Sequence, residues 1–290
     1  MAIVRELLRI ENPEGEPGFL GAGHIARPLM NGDYSQTDPF ILLMDDFLNK
    51  KDTTPAGGPH PHAGFETVTL VLDGELGADD HKLKSGDFQL MTAGSGVVHT
   101  EVIDKPGSMR ILQLWFNLGR ENRKAEPRLQ DLPLAHVPVV NENGTQIKLY
   151  SGTLAGVTSP VQNYVPLIIA DIVMKQGATT VQQLPANYNT FLYVLEGSVQ
   201  VGENKTRLYK DQVGWLNLFD QEGESELRLT TDDENTRFVL YAGKPLHEHI
   251  VSHGPFIADN SEEIVQLYRE YRQGKMKDIS TVPEAQHYKW

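Results

Sequence analysis

The stretch GGPHPHAGFETVT, residues 57–69, sets two histidines one residue apart behind a Gly-Gly-Pro turn and continues into β-branched and aromatic residues. Successive side chains on a strand point to opposite faces, so His60 and His62 share a face. Further along, GDFQLMTAGSGVVHTEV (residues 86–102) repeats the spacing with His99 and Glu101. If the two segments run side by side, three imidazoles and one carboxylate converge. That donor set suits a first-row divalent metal such as iron, manganese, nickel or copper, with coordination positions left open. Zinc is compatible on ligand type alone. One exposed His-x-His pair is often a solvated accident, whereas two such pairs beside glycine-rich turns point to a metal site.

The rest of the chain narrows the field. Its 290 residues allow one large domain or two ordinary ones. The 39% hydrophobic and 22% charged content is that of an ordinary soluble protein. A formal net charge of -13, with no basic patch, argues against nucleic acid as a direct partner. The absence of cysteine excludes disulfides, thiolate metal sites and cysteine nucleophiles. No apolar run reaches the ~18 residues of a membrane span, and the first residues carry charges where a signal peptide needs an apolar core. The expected location is cytoplasmic, with no membrane partner.

Short β-rich runs bounded by turn residues recur along the chain, among them FETVTLVLDG, MRILQLWFNL, TFLYVLEGSVQVG and TRFVLYAG. This predicts an all-β fold of the sandwich or barrel type. Helical periodicity is clear only in NSEEIVQLYREYRQG, with Asn260 as N-cap, Glu263 three residues on and Gly274 as the stop. The polar, proline-bearing stretch 119–140 is expected to link two domains, 1–135 and 136–290. The two halves share a strand–turn–strand scheme when Gly74 is set over Gly197. At that offset His60 and His62 fall on Gln183 and Pro185, so the second domain is expected to lack the metal.

Taken with DPFILLMDDF (38–47), LQLWFNL (112–118) and KPLHEHIVSHGPFIADNSEEI (244–264), these motifs resemble the pirin family of the cupin superfamily. The resemblance implies a bicupin, two stacked antiparallel jelly-roll barrels with a C-terminal helix. It implies one metal, usually Fe2+, held in the N-terminal barrel by His60, His62, His99 and Glu101, and a metal-free C-terminal barrel. It further implies quercetin 2,3-dioxygenase-type oxidoreductase chemistry on flavonols or related small aromatic substrates with dioxygen, Glu101 accepting the substrate's proton. The alternative it carries is a non-catalytic iron-binding redox sensor or a transcriptional co-regulator with a protein partner. A third cupin reaction, sugar-phosphate isomerisation, ranks last because few basic residues flank the ligands.

Several residues stay open at this stage. Ordinary cupin spacing would choose Glu66 as the carboxylate ligand; in the pirin pattern Glu66 is instead a partner of an imidazole or a solvated strand residue. His247 and His249 repeat the His-x-His spacing without a partner strand, so a surface role is favoured. His24 could approach the barrel mouth, although a surface or hydrogen-bonded histidine is the plainer account. His81, His136 and His287 are assigned no role. Trp115 and Phe116 are expected in the core, and Met91 could face the metal cavity.

Overall fold

The structure, a computed structural model, describes residues 3–30, 33–78 and 81–290. It consists largely of strands, with a twelve-residue helix near the C-terminus, and divides into two compact units. One unit comprises Glu14–His136 and Leu246–Trp290; the other comprises Met1–Pro13 and Val137–Pro245. The linear division into 1–135 and 136–290 therefore needs correction, because the chain's two ends are exchanged between the units. The side chain of His81 lies outside the described part of the molecule.

The physical reason for the exchange is visible at both ends. Ile3–Val4 pairs in parallel with Glu224–Thr230, and Leu7–Glu11 pairs antiparallel with Val213–Leu216. Between them Arg5 is fully buried. Its guanidinium donates to the carbonyls of Pro185 (2.7 Å), Ala186 (2.9 Å), Tyr188 (3.1 Å) and Asn217, and to Ser225 Oγ (2.8 Å). Burial lowers its pKa to about 10, so the cation persists at neutral pH on neutral acceptors alone. At the other end Phe256, Ala258, Ile264 and Met276 bury their apolar surface with Ala63.

In the unit that carries the histidine pairs, one sheet has eight strands among the described residues. Their order is His287–Lys289, Arg128–Leu132, Phe88–Thr92, Phe65–Asp73, Gly107–Asn117, Phe40–Lys50, His24–Met30 and Glu16–Pro17. A smaller sheet places Val97–His99 between Lys277–Asp278 and His60–His62. The expected 119–140 linker thus contains a strand, Arg128–Leu132, antiparallel to Phe88–Thr92. Its polar composition concealed two buried leucines, Leu129 and Leu132, bracketed by Pro127 and Pro133. The helix Ser261–Arg272 forms as its caps predict, with Asn260 Oδ1 accepting from the Glu263 N–H at 2.9 Å.

The second unit repeats the pairing scheme. Thr179–Pro185 lies against Glu224–Thr230 as His60–His62 lies against Val97–His99. Asn189–Glu196 pairs with Asn235–Gly243 and Val213–Leu216, matching the pairing of Phe65–Asp73 with Gly107–Asn117 and Phe88–Thr92. Even an ion triad recurs. Asp45 takes a bidentate bond from Arg110 (2.8 and 2.7 Å) with Arg27 at 3.7 Å; Asp171 takes one from Arg237 (2.9 and 2.9 Å) with Lys148 at 3.7 Å.

Candidate metal centre

Gly64 makes the site. It sits at φ +87° between the strands His60–His62 and Phe65–Asp73, and a Cβ there would meet the Ile257 carbonyl oxygen at 1.9 Å. Only glycine accepts both conditions. The bend it permits sends His60–His62 out of the large sheet to pair with Val97–His99.

In that antiparallel pairing His60 stands opposite His99 and His62 opposite Val97. The Nε2 atom of His99 lies 2.7 Å from that of His60 and 3.1 Å from that of His62. One nitrogen from each of the three rings falls within 4.8 Å of the others, a group that can hold a metal ion. His60 Nδ1 is 2.9 Å from the Gly58 carbonyl, which can only accept, so this nitrogen carries the proton and Nε2 presents a lone pair. Burial, with the neighbouring imidazoles adding to it, lowers His62 to about 2 and His99 to about 3. Both rings are therefore neutral at physiological pH, the form that coordinates. Three imidazole nitrogens packed this closely fit a cation.

Glu101 stands apart from this tight group. The bridge between Ala56 and Ile103 continues the same register, which sets Glu101 opposite Gly58 and two residues from His99. Its carboxylate lines the same cavity as His60 and His62, where burial raises its pKa; His60 and a hydrogen bond from Gln113 oppose that rise. Glu66 is not the solvated strand residue that was one expectation for it. It is fully buried, accepts the Thr92 hydroxyl at 2.6 Å and has Arg128 at 3.6 Å.

The cavity has a volume of about 690 Å3. Leu20, Leu42, Met44 and Trp115 give it an apolar wall, and Asp46 and Gln113 are polar points on it. Trp115 therefore faces the cavity, its ring 5.0 Å from that of His62 and 4.4 Å from that of Phe65. Its neighbour Phe116 is core, as is Met91, which packs with Val97 and Leu129. His24 is buried and bonded to Asp46 at 2.9 Å. His247 and His249 are exposed and join no ligand group among the described residues. His287 lies 3.2 Å from Asp131. Asp46 and Gln113 escaped the sequence reading, although a polar residue inside an apolar run (LLMDDF, LQLWF) was their signal.

Residues 24–116 match the family model described as Pirin, and residues 169–277 match that of the Pirin C-terminal cupin domain. A pirin-like protein of Solanum lycopersicum is 35% identical over 279 residues, covering 94% of this chain and 92% of its own. Pirin of Rattus norvegicus is 33% identical over 282 residues, covering 94% and 92%. The crystal structure of a quercetin 2,3-dioxygenase from Acinetobacter baumannii superposes with a TM-score of 0.81 at 28% identity, over 95% of this chain and 99% of that one. No described helix is long and apolar enough to cross a membrane.

Proposed function

The chain belongs to the pirin family, and on that premise we propose that it is a metal-dependent dioxygenase that opens flavonols of the quercetin type, with iron as the metal. The observation that carries this is the three-histidine cluster on the wall of an apolar cavity. His60, His62 and His99 would hold the ion, with Glu101 as fourth ligand. Bound there, a divalent metal supplies Lewis acidity to a chelating hydroxyl–carbonyl pair and electron transfer with dioxygen. Glu101 accepts the proton of the substrate's 3-hydroxyl, a task suited to a carboxylate whose pKa is raised by burial. Trp115, Leu42 and Met44 pack against the rings and exclude water. The ring then opens with dioxygen, and carbon monoxide leaves.

The relatedness to a quercetin 2,3-dioxygenase structure supports the substrate class. Aerobic incubation of iron-loaded protein with quercetin should bleach the flavonol absorbance and release carbon monoxide in equal amount. Iron-loaded protein that leaves quercetin intact would overturn the catalytic role and favour the metal-sensing one.

A further inference from the structure

The repeat offers an internal control for every residue on the cavity wall. Cross-strand partners place Leu42, Trp115 and Thr67 in one row, Met44, Gln113 and Thr69 in the next, and Asp46, Ile111 and Val71 in a third. In the second unit the matching rows are Ile168, Ala242 and Thr190; Ala170, Leu240 and Leu192; and Ile172, Phe238 and Val194. Apart from Thr190, these residues belong to one apolar core cluster. The position of Asp46 is thus held by Ile172. Its neighbour Asp45, on the other face of the strand, is duplicated as Asp171 with its ion partners. Asp45 belongs to the architecture common to both units, whereas Asp46 departs from it on the wall of the cavity.

The surroundings of Asp46 prepare one of its oxygens for a ligand. His24 Nδ1 accepts the N–H of Leu20 at 3.1 Å, so the ring's proton sits on Nε2 and points at Asp46 Oδ1, 2.9 Å away. The imidazole lies against Gly18, where a Cβ would fall 2.0 Å from His24 Nδ1, so any larger residue there would displace the ring. Asp46 Oδ2 has no hydrogen-bond partner among the described residues, and the side chain is only 13% exposed, toward the cavity. Burial pushes this carboxyl's pKa up, and the His24 hydrogen bond works against the rise. An acceptor that opens on the cavity without a protein donor is free to take a hydrogen bond from a ligand that supplies one.

We infer that Asp46, oriented by His24, is a specificity-determining residue that accepts a hydrogen bond from a substrate hydroxyl outside the pair that chelates the metal. This rests on the flavonol reading of the same cavity. A flat apolar ligand with a further hydroxyl would then be preferred to one without it, because a site built around a polar partner rejects the analogue that lacks it.

The probes are quercetin and 3-hydroxyflavone, which share the chelating pair but differ in the further hydroxyls. Anaerobic titration calorimetry of the iron-loaded protein reads both dissociation constants without turnover. Wild type should bind quercetin at least about tenfold more tightly. Asp46→Leu should bring the two constants to within about twofold. Asp46→Asn, which keeps the His24 bond and should fold where the leucine variant does not, should lose about half of the preference on a logarithmic scale. A preference unchanged in both variants, or absent in wild type, would overturn the inference. Tight and selective binding without oxygen-dependent turnover would sink the dioxygenase reading and leave the role of Asp46 standing.

Discussion

The two units share strand order, pairing and an ion triad, yet one gathers three imidazoles where the matching rows of the other are apolar core. The difference comes down to the bend after the first ligand strand. From His62 to Thr67 is a step of five residues in the histidine unit. From Leu184, the inward position, to Thr190 is a step of six. That extra residue moves Gln183 to an exposed position and leaves Gln182 and Leu184 buried. The equivalence of His60 and His62 with Gln183 and Pro185 is therefore off by one, since a single-residue slip exchanges the faces of a strand. Opposite them stand Leu227 and Ser225. Leu184 and Leu227 join the core there, and Arg5 ties the strand ends to the N-terminal segment. A ligand set can thus be removed from a barrel without disturbing its topology, provided apolar side chains fill the space.

The sharpest break of this contrast is the double substitution His60→Ala with His62→Ala. Metal content should fall from about one ion per chain to near zero by elemental analysis, with an unchanged far-ultraviolet circular dichroism spectrum. The matching Gln182→Ala in the other unit should leave the metal in place. Retention of metal by the histidine variant would remove the distinction between the units.

Next in size is the contrast between two buried carboxylates. Glu101→Gln should reduce flavonol turnover at least ~100-fold and weaken metal binding, because it removes both the anionic donor and the base. Glu66→Gln should keep the metal and instead lower stability by about 1–3 kcal/mol in urea unfolding, through its bonds to Thr92 and Arg128. The reverse result would return the ligand role to Glu66 and the ordinary cupin spacing.

Arg5→Met tests what holds the unit without the histidine cluster. It strands four backbone carbonyls and a serine hydroxyl, and should cost about 2–4 kcal/mol at the melting transition while metal stoichiometry stays the same. A metal loss of similar extent would show that the N-terminal segment serves the histidine unit as well.

The last contrast is one of pH on the metal-free protein. His62 and His99 titrate near 2 and 3 when folded and near 6.5 when unfolded, so between these values the unfolded chain binds more protons. Stability should therefore fall as pH drops from about 6.5 toward 3. Glu101, raised on folding, acts in the opposite sense above its ordinary value and trims the slope. Metal-loaded protein should resist acid further, and His60→Ala with His62→Ala should flatten the dependence of the metal-free form.

The sequence alone determined the all-β architecture, the capped C-terminal helix, the internal repeat and the three histidines, because strand alternation and helix capping are local and leave their period in the chain. Only the tertiary structure decided the rest. Exchanged ends cannot be read from a linear order, since Ile3–Val4 finds its partner more than 200 residues away. The fate of Glu66 depended on Thr92 and Arg128 arriving from other strands, and strand parity could not distinguish it from a ligand. Asp46 sits next to Asp45 in the sequence, and only the sheet separates their roles by putting one into an ion triad and the other against the cavity. The register slip in the second unit needed the bend itself, because one added residue is invisible to a hydrophobic pattern and yet decides which side chains face inward.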